Sequence, residues 1–158
     1  MIALDNLDAS LPATYDTDAY RVGYINGLLD GLAAIHNDTN HAVSAGLVEL
    51  ARDRWQTELP GFAKPPGSTL VTERLPKDWL AVVRVDLARV FPGESSRDPI
   101  IAIIGKLAEL VRGTVEAHRL AYRDPAGHSI GVVGFVDDAT FAIVGANRVL
   151  VLAAGWSD

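Results

Sequence analysis

The sequence predicts an α+β fold: N-terminal helices and a central helix packed on a C-terminal antiparallel β-meander. Three features predict it. Apolar residues recur at helical spacing between residues 17 and 59. Asp98-Pro99 opens an apolar run that Gly113 closes, a start and stop pattern for a helix. From Ser129 to Asp158 the chain reads as three short β-rich runs, broken by Asp137-Asp138 and by Asn147-Arg148.

Residues 1–16 read as an irregular lead-in with Pro12 and scattered Asp. A first helix starts at Thr17 or Asp18, both cap-forming types, and runs through Tyr20, Ile25, Leu28, Leu29, Leu32 and Ile35. Ala19, Gly23, Gly27 and Gly31 fall at every fourth position and so share one face. Each glycine costs about 1 kcal/mol relative to alanine inside a helix. The stripe therefore calls for another backbone close by, from the chain's own second helix or sheet, or from a second subunit.

Asn37-Asp38-Thr39-Asn40 is a turn cluster. A second helix is expected over His41–Glu58, with Val43, Leu47, Leu50, Ala51 and Trp55 on one side; one long helix through the cluster is the alternative. Pro60-Gly61 and Lys64-Pro65-Pro66-Gly67 break the chain, and Ser68–Leu75 reads as a strand. Residues 76–91 fit both periods: valine enrichment favours strand, the Pro-Lys-Asp opening favours helix, and helix is the reading taken. The central helix spans Ile100–Arg112, and its Ile-Ile-Ala-Ile-Ile start is apolar all round.

Asp124-Pro-Ala-Gly127 is a β-turn joining strands 114–123 and 128–136, with Arg123 opposite His128. Asp137-Asp138 as the next two-residue loop sets Phe141 against Gly134, and Asn147-Arg148 as the last sets Ile143 against Leu152. One face then carries Ile130, Val132, Phe141, Ile143, Leu150 and Leu152. The other carries Val133, Phe135, Ala142, Val144, Val149 and Val151. Both faces are apolar, so helices cover one each or a second subunit covers the other.

At 158 residues the chain is long enough to bury a core without staples, and reads as one domain over 1–158: helical over 17–59, loop over 60–67, α/β over 68–158. Apolar content of 49% argues against disorder. A net charge of −6 argues against a nucleic-acid partner, which needs a basic stripe. Without cysteine there is no disulfide framework, thiolate nucleophile or cysteine-based zinc site. Met1–Tyr20 lacks the pattern of a signal peptide, and no uncharged apolar run reaches the ~20 residues that span a bilayer. A cytoplasmic protein is expected, with no membrane partner, or a virion protein if it is a phage component.

His36, Asp38 and His41 are the candidate metal ligands, two imidazoles and a carboxylate that suit a divalent ion. The spacing matches no strong zinc signature, and a helix–helix turn with capping Asn, Asp and Thr is the simpler reading. No other cofactor is expected. Asp137-Asp138 offers paired carboxylates, though Asp is common at hairpin tips for turn reasons. Ser129, His128 and Asp124 make a triad only on paper, since adjacent strand residues point to opposite faces. Gly23, Gly27, Gly31, Val133, Phe135, Val144 and Val151 are the candidate interface. The expected function is a non-enzymatic structural or interaction protein, partnered by itself or by another protein, as in a virion assembly. The alternative is a small-ligand binder or metal-dependent hydrolase using the 36–41 loop. Trp79–Leu87 resembles a nine-position stretch of small helical phage proteins that sequester cyclic nucleotides. The rest of the chain does not follow that pattern, and no residue role is carried over.

Overall fold

The computed structural model describes residues 17–38, 42–59, 66–111, 115–130 and 137–157. Along the chain lie α1 (Asp18–His36), β1 (Ala42–Ala51), β2 (Thr69–Arg74), α2 (Trp79–Val90), α3 (Arg97–Leu110), β3 (Glu116–Arg123), β4 (Ser129–Ile130), β5 (Asp137–Val144) and β6 (Arg148–Ser157). The class is α+β, as expected. The strands form one antiparallel sheet in the order β1-β6-β5-β3-β2, with β4 on β3.

Helix α1 starts at the expected cap: the Thr17 hydroxyl accepts from the Tyr20 N–H at 3.2 Å. Residues 76–91 do contain a helix, α2, which buries Trp79, Val83, Leu87 and Val90. Helix α3 begins at Arg97, so Pro99 sits inside its first turn, where a missing N–H leaves no intrahelical bond unmade. It is not apolar all round in its setting. Ile100, Ile103, Leu107 and Leu110 are buried, while Ile101 is 43% exposed.

The helix expected over His41–Glu58 is instead strand β1 followed by turns from Arg52. The spacing of Val43, Leu47 and Leu50 fits a helix, but the same residues also alternate. Val43, Ala45 and Leu47 join the core under the helices, whereas Val48 and Leu50 join the opposite face. The long apolar partner β6 pairs with β1 from Ala42↔Ser157 to Ala51↔Arg148, and that ladder overrides helical propensity.

Asp137-Asp138 is not a hairpin tip. Both residues extend β5, opposite Trp156 and Gly155 of the ten-residue β6. Strand β4 covers only Tyr122 and Arg123, and β5 takes the same edge of β3 further along, pairing Phe141 with Arg119 and Ile143 with Ala117. Phe141 therefore faces Arg119 rather than Gly134, which lies outside the described residues. The turn after Arg123 sets Ser129, not His128, opposite it. The last hairpin turns at Ala146-Asn147, closed by the Gly145 N–H to the Arg148 carbonyl at 2.9 Å. Ile143 thus pairs with Leu150, a slip of two residues from the expected register. Because side chains alternate with period two, an even slip leaves each on its expected face.

The sheet's two faces are closed differently. The three α-helices of the described residues lie on one face. Ile25, Leu29 and Leu32 of α1, Val83 and Leu87 of α2, and Ile103 and Leu107 of α3 join Leu47, Phe141, Ile143, Leu150 and Leu152 in one core. The helices do not take one face each. On the opposite face Trp55 clusters with Leu120, Tyr122, Ala142, Val149 and Val151, and Leu59 packs against them.

Two ionic clusters pin the layers. Arg148 donates to Asp18 at 2.7 Å, to Glu49 at 2.9 Å and to the Leu110 carbonyl at 3.3 Å. It thereby joins the N-terminus of α1, strand β1 and the C-terminus of α3, placing an acid and a base where each helix dipole favours them. Arg119 donates to Asp86 of α2 at 2.9 and 3.2 Å and to Glu73 of β2 at 3.2 Å.

The turn after β3 forms as expected, with Gly127 at φ +88° and its N–H on the Asp124 carbonyl at 2.9 Å. The Asp124 carboxylate accepts from the His128 backbone N–H at 2.8 Å, and this bond foremost lowers its pKa from 3.8. A lowered carboxyl contributes stability above its ordinary range and loses it as pH falls through the lowered value. In an acid NMR titration the His128 amide is expected to move with a midpoint below 3.8. A midpoint at or above that value contradicts the bond.

Candidate functional site

The residues marked by the sequence fall in three places. The first is the outward face of α1. Gly23, Gly27 and Gly31 are all exposed, and a Cβ added at any of them meets nothing within 4 Å among the described residues. Neither the described helices nor the sheet packs there, so among the described residues the internal reading of the stripe finds no partner. On the same side stand Tyr20, Tyr24 and Ile35, at 41%, 38% and 63% exposure. The two tyrosine rings lie 6.4 Å apart, and Lys106 sits over the Tyr24 ring at 5.7 Å. Asp30 is the one charged residue among these outward positions from Ala19 to Ile35.

The second place is the C-terminal end of α1. His36 and Asp38 line a cavity of about 350 Å³ with Val43, Arg89, Val90, Pro92 and Trp156. His36 Nδ1 lies 2.8 Å from the Leu32 carbonyl oxygen, and Nε2 lies 2.9 Å from that of Pro92 and 3.3 Å from Ser96 Oγ. Both ring nitrogens face carbonyl oxygens, and neither is directed at a shared metal position. His41 lies outside the described residues. Among the described residues no group of three or more His, Asp or Glu side chains is placed to hold a metal. Arg89 carries this cavity towards β5 by donating to the Asp138 carbonyl at 2.9 Å. The Asp138 carboxylate accepts from Thr140 at 3.2 Å.

The third place is the sheet face opposite the helices. Val151 is buried there within the Trp55 cluster and Val144 packs at its margin, whereas Val133 and Phe135 lie outside the described residues. At the end of β3, His128 Nδ1 lies 3.1 Å from Asp124, and His118 Nε2 lies 3.6 Å from Glu116. Arg119 points to Asp86 on the helix side. No nucleophile, base and acid converge among these groups.

Two asparagines carry more of the structure than the sequence reading assigned them. Asn26 Oδ1 accepts from the Leu47 N–H at 2.7 Å, and its Nδ2 donates to the Leu47 carbonyl at 2.9 Å. Asn37 grips Val43 in the same two-handed way. Strand β1 is an edge of the described sheet, and these amides cover the outward N–H and C=O groups of Val43 and Leu47. A signal was present: Asn26 is a poor helix former on the apolar side of α1, next to Ile25 and one turn from Leu29. Among the described residues no helix is long and apolar enough to cross a membrane. Comparison with family models, with curated proteins and with solved structures finds no match.

Proposed function

We propose that this chain is a non-enzymatic interaction protein that works as a homodimer, alone or within a larger assembly, through the outward face of α1. The carrying observation is that Gly23, Gly27 and Gly31 line an open face no part of the described chain approaches. Three interior glycines weaken the helix by about 1 kcal/mol each. Nothing within the described chain requires them, whereas a second helix at close range does. Exposed Tyr20, Tyr24 and Ile35 supply the apolar flanks.

The occupant that fits is a second copy in antiparallel orientation centred on Gly27. Gly23 then meets Gly31, Tyr20 lies over Ala34, and the Tyr24 hydroxyl reaches Asp30. A parallel pair would stack Asp30 on Asp30. Replacing Gly27 by leucine separates this reading from an idle stripe. In the lone chain the side chain has room and raises helix propensity, so thermal stability holds or rises. In the dimer it blocks close approach. Native mass spectrometry is expected to give a wild-type dimer and a folded Gly27→Leu monomer. A wild-type monomer at high micromolar concentration, or an unaffected variant dimer, overturns the proposal.

A small-ligand role is the second reading, favoured by the cavity of about 350 Å³ at His36, Asp38, Arg89 and Trp156. Its size and mixed lining suit a small organic molecule. A metal-dependent hydrolase at this site would require His36 to leave the Leu32 or Pro92 carbonyl. A monomer carrying a small-molecule adduct in the same mass spectra would favour this reading over the dimer.

A further inference from the structure

Helices α2 and α3 and the loop between them frame a surface concavity of about 270 Å³, lined by Arg84, Ala88, Phe91, Gly93, Arg97 and Ile100. Arg84 and Arg97 are its charged residues. Neither guanidinium makes a hydrogen bond or ion pair among the described residues. Acids outnumber lysines and arginines in this chain by 20 to 14. Arg21, Arg74, Arg119 and Arg148 each hold a carboxylate at 3.3 Å or less. Asp86, two residues from Arg84, is already committed to Arg119. Glu94 and Asp98 flank Arg97 in sequence but do not line the concavity.

The floor between the arginines is fixed. Phe91 is 1% exposed and its ring stands 5.4 Å from that of His36, edge to face. The next residue, Pro92, has its carbonyl oxygen 2.9 Å from His36 Nε2. Gly93 then turns at φ +104°, a conformation that side chains rarely adopt. Two exposed arginines thus line one hollow on either side of this loop, and among the described residues no carboxylate pairs with either. An anion between them relieves their repulsion and accepts forked hydrogen bonds from both.

We propose that this hollow binds a compact phosphate-type dianion, with Arg84 and Arg97 as its two ligands. The small Ala88 and the bend at Gly93 leave room for a group larger than the ion alone, so a phosphate monoester fits as well as inorganic phosphate. The site is independent of the α1 face and stands or falls without the dimer.

The test is a ¹H–¹⁵N NMR titration of the whole protein with inorganic phosphate and with pyrophosphate, against sodium chloride at matched ionic strength. Saturable shifts confined to the Ala88, Gly93 and Arg97 amides are expected for both phosphates and not for chloride. Arg84→Gln and Arg97→Gln should each weaken binding about tenfold, the loss of a charge-assisted hydrogen bond. The double variant should abolish it. Arg97→Lys should fall between, because an ammonium cannot form the fork. Both side chains are exposed, so the variant spectra should match wild type away from the hollow. Absence of saturation in the millimolar range overturns the proposal, as does an unchanged response in the double variant. Equal shifts with chloride would mean general ion screening only.

Discussion

Phe141→Ala is expected to cost about 3–5 kcal/mol of unfolding free energy, the range for deleting a fully buried aromatic side chain. Phe141 is 0% exposed in the centre of β5, between Leu152 of β6 and Arg119 of β3. Its removal empties the space beneath all three helices, which share that core. A second loss adds to the cavity. The Arg119 guanidinium lies 5.9 Å from the Phe141 ring while it bonds Asp86 and Glu73. Without the ring, the ion pair tying α2 to the sheet loses its apolar seat and its cation–π contact. Phe141→Leu keeps much of the volume and should cost under half as much. Urea denaturation of the three proteins reads the difference. A loss below about 1 kcal/mol in the alanine variant would show that Phe141 is not a core residue.

Phe141 also shows how far the sequence could be read. Its place on one face with Ile143, Leu150 and Leu152 follows from alternation alone, and survives a wrong register because the slip is even. Its partner did not follow. Gly134 was chosen because Asp137-Asp138 resembles a turn, and local composition cannot show that a ten-residue β6 draws both aspartates into its ladder. The same distant strand turned residues 42–51 from an expected helix into β1. Where a signal is local, as at the Thr17 cap, the Asp124–Gly127 turn or the α2 segment, sequence and structure agree. The candidate site divides along the same line. The glycine stripe was visible as spacing, but whether it meets the chain's own backbone depends on which way α1 faces. Buried Ile25, Leu29 and Leu32 decide that it faces out. His36 and Asp38 were marked together and do line one cavity, yet the carbonyls of Leu32 and Pro92 that occupy the imidazole are invisible in composition. Arg84 and Arg97 are too far apart in sequence to suggest a pair; the packing of α2 and α3 brings them to one hollow.

Asn26→Ala is expected to cost about 2 kcal/mol, despite replacing a poor helix former with the best one. The substitution gains roughly 0.5 kcal/mol of helix propensity. It loses both bonds to Leu47, at 2.7 and 2.9 Å, and strands a partly buried N–H and C=O on the edge of β1. Stranded backbone groups cost more than the bonds were worth, about 1–3 kcal/mol each when buried, less here because water reaches part of the site. A local readout separates this cause from general loosening of α1. Hydrogen exchange at the Leu47 amide should accelerate well beyond the change in global stability, while Val43, still held by Asn37, should follow the global change only. Asn26→Asp should keep the Leu47 N–H protected, because a carboxylate oxygen still accepts from it. It should still lose stability, because the second oxygen opposes the Leu47 carbonyl where an amide donated. If Leu47 and Val43 exchange in step in the alanine variant, Asn26 does not guard the edge. The opposite outcome makes β1 an edge strand guarded at Val43 and Leu47 by two side-chain amides.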